Sequence, residues 1–137
     1  PMMVESFKSN LGQFGKQIKN AAILLFLCSL ILSLISYLLS PFVIKLITGS
    51  GFTGSVTSLQ ILSLGFPAYF LSALLMWVMV TKKMYKELLI VYGLGLMVNI
   101  AANLTFIPQY SYIAASWITG VSEYLILLLQ VMVLWRK

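Results

Sequence analysis

A chain of 137 residues that is 61% hydrophobic and 9% charged departs from soluble domains, where about half the residues are apolar and about a quarter charged. It has no histidine and no aspartate, and its acids are Glu5, Glu87 and Glu123; this excludes a Ser-His-Asp triad, a paired-carboxylate hydrolase site, a His-rich metal centre and an aspartate-held magnesium site, so no catalytic residue, metal site or cofactor is expected. The net charge of +6 lies in short clusters between apolar runs and not on a solvated face, which excludes nucleic acid as a partner, and Cys28 alone builds neither a disulfide framework nor a Cys-x-x-Cys site.

Uncharged stretches cover residues 20–44, 46–81, 88–122 and 124–135, and about 20 apolar residues cross a bilayer. Four spans fit and five do not. The expected fold is therefore all-α integral membrane, with four antiparallel transmembrane helices plus an amino-terminal interfacial helix. Residues 1–20 form the interfacial helix or connector, since Val4, Phe7, Leu11, Phe14 and Ile18 recur at helical spacing with lysines between them. Residues 21–137 form the four-span domain. A signal peptide is excluded because the first apolar run exceeds the usual h-region of about 7–15 residues and ends without a small-x-small cleavage site.

The first span is expected at about 21–39, with Pro41 marking its exit. Ser29, Ser33, Ser36 and Ser40 fall on one stripe, which points to close helix packing, with the lining of a wet cavity as the alternative. After a glycine-rich turn over 48–55, the second span covers 59–80, and Gly65 and Pro67 predict a kink or break in its first third. Lys82, Lys83 and Lys86 form a basic loop suited to the membrane surface. The third span, 88–107, is closed by Pro108, and the fourth covers 112–134. Both termini are expected on the cytoplasmic side, because that orientation leaves Lys45 as the one cation outside.

Glu123 is the residue with the strongest claim to function, since an ionised side chain at mid-membrane costs about 2.5–3.5 kcal/mol on insertion scales. Ser116, Thr119, Gly120 and Glu123 share one face of the fourth span, and Gly95, Asn99 and Asn103 one face of the third. Two readings follow. Either Glu123 lines a transport cavity as a proton site or a ligand for substrate hydroxyls, or it fixes helix packing by hydrogen bonding to Asn99, Asn103 or a serine of the first span.

In order along the chain, Pro41, Gly49-x-x-Phe52, Leu59-Gln60-Ile61-Leu62, then Asn99, Asn103, Ile107-Pro108-x-Tyr110, Ala114-Ala115-Ser116, Thr119 and Glu123 resemble the carboxy-terminal domain of the polysaccharide transporters, the O-antigen or lipid-linked oligosaccharide flippases. The superfamily also holds the multidrug exporters. Where the family pattern usually has glycine after the aromatic and before the paired alanines, this chain has Ser111 and Ala114, and its basic loop reads Thr81-Lys82-Lys83-Met84 in place of a Gly-Arg-x-Lys. The resemblance implies a bacterial inner-membrane flippase working by alternating access on an isoprenoid-linked oligosaccharide. It also implies a larger parent, whose remaining transmembrane helices are partners along with membrane lipids, and of which a chain beginning at Pro1 is expected to be a piece. The alternatives are a cation-coupled multidrug exporter and a small four-span structural or assembly protein.

Overall fold

The structure, a computed structural model, describes residues 11–49 and 51–136, without the side chain of Leu11. It is all-α: helices α1 (Leu11–Thr48), α2 (Thr53–Ser63), α3 (Phe66–Thr81) and α4 (Tyr85–Trp135). Two stretches, Gly12–Thr48 and Tyr85–Trp135, are long and apolar enough to cross a membrane, and the bent pair α2–α3 makes a third if taken as one span. Of the expected interfacial helix, residues 11–20 are described, and they continue without a break into the rest of α1. Val4 and Phe7 lie outside the described residues.

Helix α4 is two limbs, not one rod. Its single non-helical residue is Ser111, at φ 59° and ψ −154°. On a straight helix rising about 1.5 Å per residue, Tyr92 and Gln130 would stand about 57 Å apart. Instead Gln130 Nε2 donates to Tyr92 Oη at 3.4 Å, and Asn99 Nδ2 to Ser122 Oγ at 3.0 Å. The chain therefore reverses at Ser111, and limbs 85–110 and 112–135 run antiparallel.

The bent pair α2–α3 is the middle layer, with α1 packed on one side and α4 on the other. Ser33 of α1 meets Ser63 and Tyr37 meets Gln60, so α1 runs antiparallel to α2–α3. The second limb of α4 runs parallel to the pair, with Tyr112 against Gly54 and Gly120 against Gly65. Lys16, Lys19, Lys82, Lys83, Lys86 and Arg136 consequently share one end of the bundle, and Lys45 lies at the other. Lys8 and Lys137 lie outside the described residues. Of the serine stripe, Ser29, Ser33 and Ser40 are buried, as packing requires.

Two prolines behave differently from the sequence expectation. Pro41 and Pro108 were expected to end helices, yet α1 continues to Thr48 and the first limb of α4 to Tyr110. A proline inside a helix removes the donor for the carbonyl four residues earlier, which for Pro41 is Tyr37. Ser40 Oγ donates to that oxygen at 2.9 Å and Gln60 Nε2 at 3.4 Å, so the helix passes through Pro41 with its backbone acceptor satisfied. Pro108 lies within the last turn before the reversal, where the lost bond affects only the end of the limb, and Gln109 Nε2 turns back to Thr105 O at 3.3 Å.

At Pro67 the sequence expectation holds. Helices α2 and α3 meet at 44°. Pro67 leaves Ser63 O without a backbone donor, and Ser33 Oγ supplies one at 2.7 Å. The neighbouring Leu64 O accepts from Tyr124 Oη at 2.9 Å.

The turn after α3 is a Schellman-type cap. Lys83 stands at φ 58°, with Lys83 N–H on Val80 O and Met84 N–H on Met79 O, both at 2.9 Å. The buried pair Met79 and Met84 seals it. Here the loop keeps its charge while a lysine occupies the position glycine fills at least cost.

Ser111 occupies a backbone region essentially confined to glycine, where other residues cost about 1–3 kcal/mol. Ser111→Gly is expected to stabilise the protein by about 1 kcal/mol, read as a raised unfolding midpoint in detergent. An unchanged or lowered midpoint contradicts the assigned reversal.

Candidate functional site

The polar residues of the third and fourth expected spans divide between two faces of the second α4 limb. One face meets the first limb. There Asn99 bonds Ser122, and Asn103 Nδ2 donates to Asn99 Oδ1 at 2.8 Å and to Asn99 O at 2.9 Å. One turn further along, a Cβ on Gly95 would lie 2.6 Å from Ile126 Cγ1, so this glycine lets the limbs approach closely. Asn103 Oδ1 and Gln130 Oε1 are buried without a partner. These groups lock one limb to the other.

The other face meets the bend between α2 and α3. Thr119, Gly120 and Glu123 there face Leu62, Gly65, Phe66 and Tyr69 across a groove of about 360 Å³. The walls come from both sides of the break, with Gly65 and Gly120 between them. Glu123 is half-buried, and among the described residues no hydrogen bond or ion pair reaches its carboxyl group. Thr119 Oγ1 donates to Ala115 O at 2.8 Å, which leaves its lone pairs toward other donors. The groove is thus mostly apolar and aromatic, with Glu123 and Thr119 supplying acceptors on one wall.

Of the residues singled out from sequence, Asn99 and Asn103 come together, and Thr119 and Glu123 come together. The two pairs do not meet each other. Ser116 is buried on the same limb, with its hydroxyl on Tyr112 O at 3.2 Å, and does not line the groove. Among the described residues Glu123 makes no hydrogen bond to Asn99, Asn103 or a serine of the first span. Protein-family models, curated proteins and solved structures all gave no match to this chain. The geometry therefore stands by itself.

Sequence reasoning missed Ser122, Tyr124 and Tyr69. A signal for Ser122 was present. Folding the chain back about the turn expected at 108–111 sets Asn99 opposite residue 120, within one helical turn of Ser122, and Glu123, the residue after Ser122, points about 100° further round the helix. Tyr124 carried no such signal, because its partner is a carbonyl that only the bend exposes.

A second groove of about 520 Å³ lies between the limbs, walled by Val98, Ala102, Phe106, Ile113, Trp117 and Val121 among others. It is apolar and holds no group for chemistry.

Proposed function

We propose that this chain is a membrane-spanning part of a transporter, and that it belongs to a flippase for isoprenoid-linked oligosaccharide in the bacterial inner membrane, with no enzymatic activity. The membrane reading draws support from the apolar faces of α1 and α4 and from the charge distribution. Taken as two limbs, α4 supplies two lengths above the roughly 20 residues a crossing needs. With α1 and the bent pair this makes four crossings, and gathering Lys16, Lys19, Lys82, Lys83, Lys86 and Arg136 at one end fits a cytoplasmic side with both termini on it. Lys82, Lys83 and Lys86 would then rest on anionic head groups, each contributing about 1 kcal/mol.

The observation that carries the transport reading is the free carboxyl of Glu123 in a groove at a helix break. Discontinuous helices in transporters place polar groups where substrate binds near the bilayer midplane, and a carboxyl held there for packing alone would have a protein partner. Sugar hydroxyls are donors that suit the Glu123 carboxylate and the Thr119 hydroxyl, and sugar faces suit the aromatic wall of Phe66 and Tyr69. Asn99 and Asn103, also expected at the cavity, serve in this structure to hold the α4 hairpin. The flippase assignment itself rests on the sequence resemblance. A cation-coupled multidrug exporter uses the same groove chemistry, with Glu123 as the coupling carboxylate.

Topology is tested by single cysteines at Gly51 and Lys83 in a background free of other cysteines, labelled in intact cells with an impermeant maleimide. Gly51→Cys is expected to react, and Lys83→Cys only after permeabilisation; the opposite pattern contradicts the orientation. Function is tested with the full-length gene product in proteoliposomes. Translocation of isoprenyl-pyrophosphate-linked oligosaccharide is expected, with most of it lost in Glu123→Gln. Proton flux driven by amphipathic cations, lost in the same variant and without sugar-lipid movement, would establish the exporter instead.

A further inference from the structure

The two carbonyls released at the bend differ in one respect that bears on motion. Ser63 O cannot regain the ordinary helical donor four residues on, because residue 67 is proline. Its bond from Ser33 Oγ, 2.7 Å long between two buried serines, is needed at any bend angle. Leu64 O is different. Four residues on stands Ala68, which has an N–H, and a straighter α2–α3 would bring that N–H onto Leu64 O in the ordinary helical pattern. In the bent structure the acceptor is taken by Tyr124 Oη. Ala68 is fully buried, and its N–H has no acceptor among the described residues. The two residues before Pro67 and Phe66 are also tightened, with Leu64 N–H on Ile61 O at 3.1 Å and Gly65 N–H on Leu62 O at 3.0 Å, three residues back instead of four.

We propose that the Leu64–Gly65 bend is a hinge with two hydrogen-bonded states, in which Ser33 is the fixed pivot and Tyr124 a latch that exchanges with the Ala68 N–H. Each state satisfies Leu64 O, so neither leaves a buried carbonyl bare. The bent state holds the Tyr124 phenol and leaves Ala68 N–H unpaired; the straighter state pairs Ala68 and frees a phenol that is half exposed. Opposing costs of similar size are what a bistable element needs. Gly65 and Gly120 lie against each other at the pivot, and a Cβ on Gly65 would reach 3.5 Å from Gly120 Cα, so little side-chain bulk obstructs a change of angle.

The hinge shapes the groove of Glu123. Leu62 stands before the break, Phe66 and Tyr69 after it, and Tyr124 is the residue next to Glu123. Straightening the pair moves one wall of the groove relative to the other while releasing the second α4 limb at Tyr124. The hinge is a property of these residues; that its motion serves transport rests on the reading proposed above.

The test uses the full-length protein in lipid, with spin labels on Asn20→Cys in α1 and Trp77→Cys near the end of α3, in a background free of other cysteines. The parent protein is expected to show a main distance and a minor second one several ångströms away. Loss of one hydrogen bond in Tyr124→Phe is expected to enrich the minor population roughly tenfold. Ser33→Ala is not expected to enrich it, because the Ser63 carbonyl is bare in both states. A single unshifted distance in both the parent and Tyr124→Phe overturns the hinge, as does a shift produced by Ser33→Ala alone. A Tyr124→Phe protein that shows the second distance but translocates at the parental rate keeps the hinge and overturns its link to transport.

Discussion

A proline inside a helix, or a break in one, releases backbone carbonyls, and where water is excluded each must find another donor. That constraint organises this structure. Pro41 releases Tyr37 O, which Ser40 and Gln60 satisfy; Pro67 releases Ser63 O, which Ser33 satisfies; the bend beside it exposes Leu64 O, which Tyr124 satisfies. Three of these donors come from a neighbouring helix. The same bonds that repair the breaks therefore fix α1 and the second limb of α4 on the two sides of α2–α3.

The second α4 limb separates structure from chemistry by the angle between successive residues. Ser122 turns toward Asn99 and closes the hairpin, with Gly95 allowing close approach to Ile126. Glu123, one position on, turns to the bend and keeps its carboxyl free. Interhelical bonds of the Asn99 kind are worth about 1 kcal/mol in membranes, enough to set register without making the hairpin rigid. On the transport reading, the hairpin carries the carboxyl while the bent pair supplies the wall that moves.

The parts of this fold that obey local rules were legible in the sequence. Apolar run lengths and lysine clusters marked the helices, Gly65 and Pro67 marked the bend, and the short segment around Pro108 marked the reversal. What local rules could not show was the role of Pro41, because a donor from α2 helps carry the helix through it. Nor could they show the left-handed backbone at Ser111, where a serine takes a conformation suited to glycine. For the site, stripes read helix by helix gathered Glu123 and Asn99 in one place; the hairpin register parts them. Glu123 itself was legible from its charge in an apolar run, whereas Tyr124 was not, since its role depends on an acceptor from the bend.

The central claim, that side-chain donors replace the backbone amides lost at prolines and helix breaks, is tested most directly by a double-mutant cycle at Ser40 and Pro41, followed by unfolding in detergent or lipid. Ser40→Ala alone is expected to destabilise the protein by about 1 kcal/mol. In a Pro41→Ala background, where the residue-41 N–H returns to Tyr37 O, the same substitution is expected to cost close to nothing. Equal costs in the two backgrounds would contradict the account.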